Sequence, residues 1–184
     1  MTITSTSIDG VFIVEPILFG DNRGYFYESF NKEKFERETG LHIDFVQQNQ
    51  SFSTKGVVRG LHFQKPPYAQ AKLVRCVHGA VLDVAVDLRK GSDTYGKYVS
   101  VELNENNHRQ LFIPEGFAHG FSVLSDSAIF QYQCSDYYHP EAEGGISLLS
   151  EELGIDWEVE DKKLSEKDKK WPVFDENWLT PFDK

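Results

Sequence analysis

The stretch VLDVAVDLR, residues 81–89, limits the fold more than any other part of the chain. Leu82, Val84, Val86 and Leu88 alternate with Asp83, Ala85 and Asp87, and a period of two is the signature of a strand, not a helix. AIFQYQC, residues 128–134, repeats the pattern: Ala128, Phe130, Tyr132 and Cys134 share one face, and Ile129, Gln131 and Gln133 the other. Shorter strands are expected over residues 11–19, 25–30, 45–52, 98–103, 111–113 and 120–124. Between them lie turn signals at GDNRG (20–24), at 104–107 and at PEG (114–116). Strands recurring every ten residues or so indicate a sandwich or barrel. Helix is expected only in short pieces. One runs over 32–39, with Asn31 as N-cap and Gly40 closing it, and a lysine-rich one lies near 165–170.

With 184 residues, 40% of them hydrophobic and 14% aromatic, the chain can bury a good core as a single domain, 1–184. After Gly145 the texture turns acidic and Trp-bearing, so 146–184 reads as a C-terminal wrap around that domain. A net charge of −10 argues against nucleic acid and against a basic membrane-surface patch, but leaves room for an anionic small molecule held by a local cluster of Arg and Lys. The two cysteines, Cys76 and Cys134, lack CxxC spacing and suit a reduced, cytoplasmic protein. MTITSTSIDG has neither a basic nor an apolar leader region, and no apolar run approaches the roughly 18–20 residues of a membrane span.

The chemistry concentrates in RGLHFQKPPYAQAKLVR, residues 59–75. If its two arms are neighbouring strands, His62 and Gln64 face one way and Leu61 and Phe63 the other, while Lys72, Val74 and Cys76 share a face. A histidine and a lysine then point into one cavity, which suits a site better than a core. PEGFAHGF, residues 114–121, resembles the second motif of cupins, small double-sheet barrels. Many cupins bind metal through an H-x-H pair, but here that place reads His62-Phe63-Gln64. A site left with His62 and His119 falls short of the usual three protein ligands, so no metal is expected. Taken singly, His62 also reads as a structural histidine, Lys72 as a snorkelling lysine, Tyr132 as core and Asp168 as the partner of Ser165 in a capping box.

These residues gain meaning together. GDNRGYFYESFN, FVQQNQS, the block GVVRGLHFQKPPYAQAKLVRCVHGAVLDVAVDLRKGSDTYGKYVSVELN, FIPEGFAHGFSVL, YHPEAEGGI and LSEKD closely resemble the dTDP-4-dehydrorhamnose 3,5-epimerase family, in the family's order and over nearly the whole chain. One departure is Gln48-Asn49-Gln50, where relatives often read Asp-Asn-His. The resemblance implies an all-β, double-stranded β-helix (jelly-roll, cupin) barrel, a homodimer with exchanged N-terminal strands, and an isomerase needing no cofactor. It implies epimerisation of dTDP-4-dehydro-6-deoxy-D-glucose at C3 and C5. A sibling activity at C3 or C5 alone is the alternative.

Residue by residue, the resemblance makes His62 the base, Asp168 the carboxylate that orients it, Tyr132 the acid on the opposite ring face and Lys72 the cation beside O4. It assigns substrate contacts to Gln47, Asn49, Arg59, His119, Tyr138, Glu143 and Lys167, with Tyr138 stacking on thymine, and to Arg23 and Glu28 from the partner subunit. The chemistry is coherent. A 4-keto group acidifies the protons on C3 and C5, and an imidazole of ordinary pKa about 6.5 suits their removal. Arg59 suits a diphosphate because its fork binds two oxygens at once.

Overall fold

The computed structural model describes residues 1–175 and 177–182. Residue 176 and the last two residues of the expected wrap lie outside that range. Two antiparallel sheets face each other. The six-stranded one runs β1 (Thr2–Ser5), β2 (Phe12–Glu15), β10 (Gln110–Ile113), β7 (Lys72–His78), β12 (Ser127–Cys134), β5 (Gln47–Thr54). The five-stranded one runs β13 (Glu143–Gly145), β6 (Val58–Gln64), β11 (Phe117–Val123), β8 (Ala80–Asp87), β9 (Tyr98–Asn104). The remaining pair, β3 (Phe19–Asp21) and β4 (Gly24–Phe26), forms a hairpin bonded to neither sheet. Chain segments pass repeatedly from one sheet to the other, as in the jelly-roll barrel of the cupins.

Helix α1 (Lys32–Thr39) falls where its caps place it: the Asn31 side chain accepts the Lys34 N–H, and Gly40 adopts φ 72°. Two expectations need correction. The run 11–19 is not one strand. Pro16, which has no N–H for a ladder, stands in the break between β2 and β3, and of the expected 25–30 strand only Tyr25 and Phe26 lie in one, as part of β4. The lysine-rich helix shrinks to one 3₁₀ turn, Asp168–Lys170, whose Asp168 N–H is accepted by Ser165 Oγ at 3.0 Å.

Three apolar clusters hold the layers. Val74, Cys76, Val81, Ala85, Phe121 and Phe130 fill the barrel interior. Phe35 of α1 packs on Val14, Leu73 and Phe112, covering the outside of the six-stranded sheet. The C-terminal wrap covers the outside of the other sheet, setting Ile146, Leu153, Trp157 and Phe174 on Leu61, Phe63, Leu82, Val84, Val86 and Leu88. Trp157 is 2% exposed and its indole N–H donates to the Leu148 carbonyl, so its burial contributes roughly 2–3 kcal/mol with no polar penalty. The aliphatic face of β8 thus looks outward beneath the wrap, and Asp83 and Asp87 look inward. Among the described residues no helix is long and apolar enough to cross a membrane.

Candidate active site

Two glycines set the site's frame. Gly60 has φ +126°, and a Cβ there would stand 2.6 Å from the Gly120 Cα; one on Gly120 would stand 2.6 Å from the Arg59 carbonyl. Only glycine at both points lets β6 and β11 approach so closely. The ladder shifts register just there, and His62 lands directly opposite His119. The RGLH and AHGF sequences therefore meet as adjacent strands. The arm bearing Lys72 does not join them. β6 and β7 are consecutive but lie in opposite sheets, so His62 and Lys72 face each other from opposing sheets instead of standing side by side.

An open cavity of about 420 Å³ is lined by Gln47, Asn49, His62, Lys72, Tyr132, Tyr138 and Glu143, among others. It shares His62, Lys72 and Tyr132 with a deeper pocket of about 190 Å³ that adds Ser51, Arg59 and His119. His62 Nε2 lies 2.5 Å from Asp168 Oδ1. An ionised carboxylate only accepts, so Nε2 carries the hydrogen and Nδ1 is left as the basic nitrogen, with no protein partner among the described residues. Asp168 is 4% exposed. Burial alone would raise its carboxyl, but the bonds from His62 and Ser165 outweigh this and hold it below the ordinary range. The wrap delivers it: Lys163 pairs with the main chain of Gly56 and Val58 at the start of β6, and the chain then turns at Ser165.

Opposite stand Tyr132, on β12, and Lys72, on β7, with Lys72 Nζ 6.0 Å from the Tyr132 ring centroid. Burial raises the Tyr132 phenol, which keeps it protonated, and lowers the Lys72 ammonium. The Lys72 side chain has no ion pair or hydrogen bond among the described residues, and it lines both cavities. His119 Nε2 donates to Asp83 Oδ1 at 2.8 Å, and burial, against the pull of Asp83, lowers its imidazole. At the rim, Tyr138 Oη donates to Glu143 Oε2 at 2.9 Å and Lys167 pairs with Glu143 Oε1 at 2.5 Å. Arg59 holds Ser53 Oγ at 3.0 Å.

The expected site residues thus gather, with two exceptions. Arg23 sits on the β3–β4 hairpin, its side chain 85% exposed and paired with Asp21, and Glu28 bonds Lys34 and Asn31 beside α1. Neither lines the two cavities. Gln48 is exposed and faces outward toward Gln133. Three neighbours were not anticipated as site residues. Asp83 is fully buried, and its Oδ2 has no partner among the described residues. Ser51, which lines the deeper pocket, has a buried Oγ with no partner among the described residues. Trp171 stands edge-on to His62 with ring centroids 6.2 Å apart. Only Asp83 had a signal, an acid on the same face as Val81 and Ala85.

The fold and cavity define a cupin-type jelly-roll barrel with titratable groups inside its lumen. Comparison with known proteins narrows the class. Residues 5–176 match the family model described as dTDP-4-dehydrorhamnose 3,5-epimerase. The chain is 54% identical over 177 residues to the Escherichia coli (strain K12) protein of that name, covering 96% of each. It superposes with a TM-score of 0.92, at 50% identity and covering 97% and 99% of the two chains, on the dTDP-4-dehydrorhamnose 3,5-epimerase of Elizabethkingia anophelis NUHP1. It superposes at 0.90, at 50% identity and covering 94% and 92%, on the Legionella pneumophila dTDP-6-deoxy-D-glucose-3,5-epimerase in complex with dTDP-4-keto-L-rhamnose. The chain belongs to the dTDP-4-dehydrorhamnose 3,5-epimerase family, and so to the isomerases.

Proposed function

We propose that the protein converts dTDP-4-dehydro-6-deoxy-D-glucose to dTDP-4-dehydro-L-rhamnose, by proton removal and return at C3 and C5. The observation that carries this is the 2.5 Å pair between His62, on one sheet, and Asp168, brought to it by the wrap, while Tyr132 and Lys72 stand on the other sheet. His62 Nδ1 takes the proton from carbon, and the C–H electron pair moves into a C=C bond with C4, leaving the charge on O4. Asp168 stabilises the imidazolium that forms. Lys72, unpaired and close by, meets the enolate oxygen, where such a contact contributes about 3–4 kcal/mol. Tyr132 returns a proton to the opposite face, inverting the carbon, and is recharged from solvent. Each epimerisation runs once through the same groups.

Gln47, Asn49, Arg59, His119, Tyr138, Glu143 and Lys167 extend from that centre to the rim and suit the nucleotide and diphosphate. Arg23 and Glu28 lie too far round the surface to serve their own cavity. The hairpin bearing Arg23 exposes Phe19 (64%), Tyr25 (60%) and Phe26 (70%), a surface that favours a partner. We infer a homodimer in which this hairpin carries Arg23, with Glu28 behind it, to the partner's cavity. β1 pairs with β2, and β2 with β10 of their own sheet, whereas β3 and β4 bond to neither sheet, which supports the hairpin as the part of the N-terminal strands that is exchanged. A cytoplasmic location suits the two free, buried thiols.

Proton NMR in deuterium oxide, on EDTA-treated protein with dTDP-4-dehydro-6-deoxy-D-glucose and a trapping reductase, tests the activity. Deuterium at both C3 and C5 of an L-configured product is expected. Exchange at one carbon alone overturns the double epimerisation, and no exchange overturns the enzyme reading.

A further inference from the structure

We propose that Gln64 is a positioning residue for Tyr138, and that with Gln47 and Gln70 it fixes the main chain of residues 136–139 so that the tyrosine stands ready at the cavity mouth. This deepens the reading of Tyr138 as a nucleotide contact and rests on it. Gln64 ends β6, two residues beyond His62, and is 4% exposed. Its amide is committed to backbone: Nε2 donates to the carbonyls of Tyr68 (2.8 Å) and Tyr137 (3.0 Å), and Oε1 accepts the His139 N–H (2.6 Å). Both amide donors and the carbonyl are thus in use. Gln70 Nε2 donates to the carbonyls of Asp136 (2.7 Å) and Tyr137 (3.2 Å), and Gln47 Oε1 accepts the Tyr138 N–H (3.0 Å).

No residue of 136–139 lies in a strand, so these side chains supply the partners that a ladder would otherwise give. The Tyr138 hydroxyl is held as well, by Glu143, which pairs directly opposite Gln64 across the β13–β6 ladder. Tyr138 is therefore fixed at its own N–H, on both flanks and at its tip, from the two sheets at once. A ring that is 49% exposed yet held this way loses little freedom when a base stacks on it, which is how preorganisation raises affinity.

The test is steady-state kinetics on full-length Gln64→Leu, Gln70→Ala, Tyr138→Ala and the two doubles with Tyr138→Ala, joined to amide hydrogen exchange at His139. Gln64→Leu should raise KM for the dTDP-sugar about tenfold, the equivalent of ~1.4 kcal/mol, with kcat near the parent's. It should add nothing further in the Tyr138→Ala background, and the His139 amide should exchange faster. Gln70→Ala, which leaves the core untouched, should raise KM less and likewise lose its effect in that background; it carries the test if Gln64→Leu does not fold. A parental KM in both glutamine variants, with a raised KM in Tyr138→Ala, overturns the positioning role. So does a multiplicative double variant, or a fall in kcat at constant KM. A parental KM in Tyr138→Ala overturns the nucleotide contact itself, a separate failure.

Discussion

Replacing Asp168 with Asn isolates what the carboxylate does for His62. The shape is kept and the charge removed, at a position 4% exposed and 2.5 Å from Nε2. In the resting state little changes, since an Asn oxygen can still accept the Nε2 hydrogen. The cost falls on the imidazolium formed as the carbon proton is taken. Two opposite charges about 4 Å apart at an effective dielectric near 20 interact by about 4 kcal/mol. The His62 side chain is 32% open to the cavity, so water there reduces this to roughly 2–4 kcal/mol. The expected fall in kcat is about 30- to 1,000-fold, with KM little altered. The assay is single-enzyme turnover by proton NMR at saturating substrate, with a thermal melt to show that the variant is folded. Asp168 titrates below the ordinary carboxylate range when folded, so its contribution to stability is present above about pH 4 and is lost as pH falls further. The gap in melting temperature between parent and variant should therefore close on acidification. A folded Asp168→Asn enzyme with kcat within about threefold of the parent, under 1 kcal/mol, would refute the charge-stabilising role.

Tyr132→Phe should suppress product far more than solvent-deuterium exchange into substrate, because His62 can still remove and return a proton on its own face; equal losses would contradict the division of labour. Lys72→Met should lower kcat by two to three orders of magnitude, about 3–4 kcal/mol, yet melt higher than the parent at neutral pH. Burial depresses the Lys72 pKa, so the unfolded chain binds the extra proton between the lowered value and the ordinary one, and the parent should gain stability as pH rises through that window. Gly60→Ala must force an L side chain to φ +126° and into the Gly120 backbone, so a loss of about 3 kcal/mol or more is expected in chemical denaturation. Mixing inactive His62→Ala with weakened Arg23→Ala protein should restore activity through mixed dimers that hold one intact site; activity merely averaging the two would exclude the shared site.

Much of this was legible in the alternation of strands, because period two is a local property that survives tertiary context. The sense of the alternation was not. In residues 81–89 it identifies β8 without saying which face is inside, since an interior that houses a site takes the acids and the wrap takes the aliphatics. Asp83 is accordingly the residue that local pattern left unassigned. The pairing of His62 with Lys72 across the lumen was hidden for a related reason. Two arms joined through Pro66-Pro67 read as adjacent strands, whereas here the connection crosses between sheets. Ser165-x-x-Asp168 was legible twice over, since Ser165 Oγ does accept the Asp168 N–H while the Asp168 side chain turns to His62.

The wrap is thereby tied to the chemistry as well as to stability. A barrel that turns Asp83, His62 and His119 inward must present Leu82, Val84, Val86, Leu61 and Phe63 outward, and that apolar face needs a cover. The same segment that covers it, pinned at Lys163 and by Trp157, arrives at the barrel mouth with Asp168 in reach of His62. Loosening the cover therefore frees the carboxylate that the base depends on. Placing polar groups in the lumen and recruiting the orienting aspartate from the wrap are two consequences of one alternation.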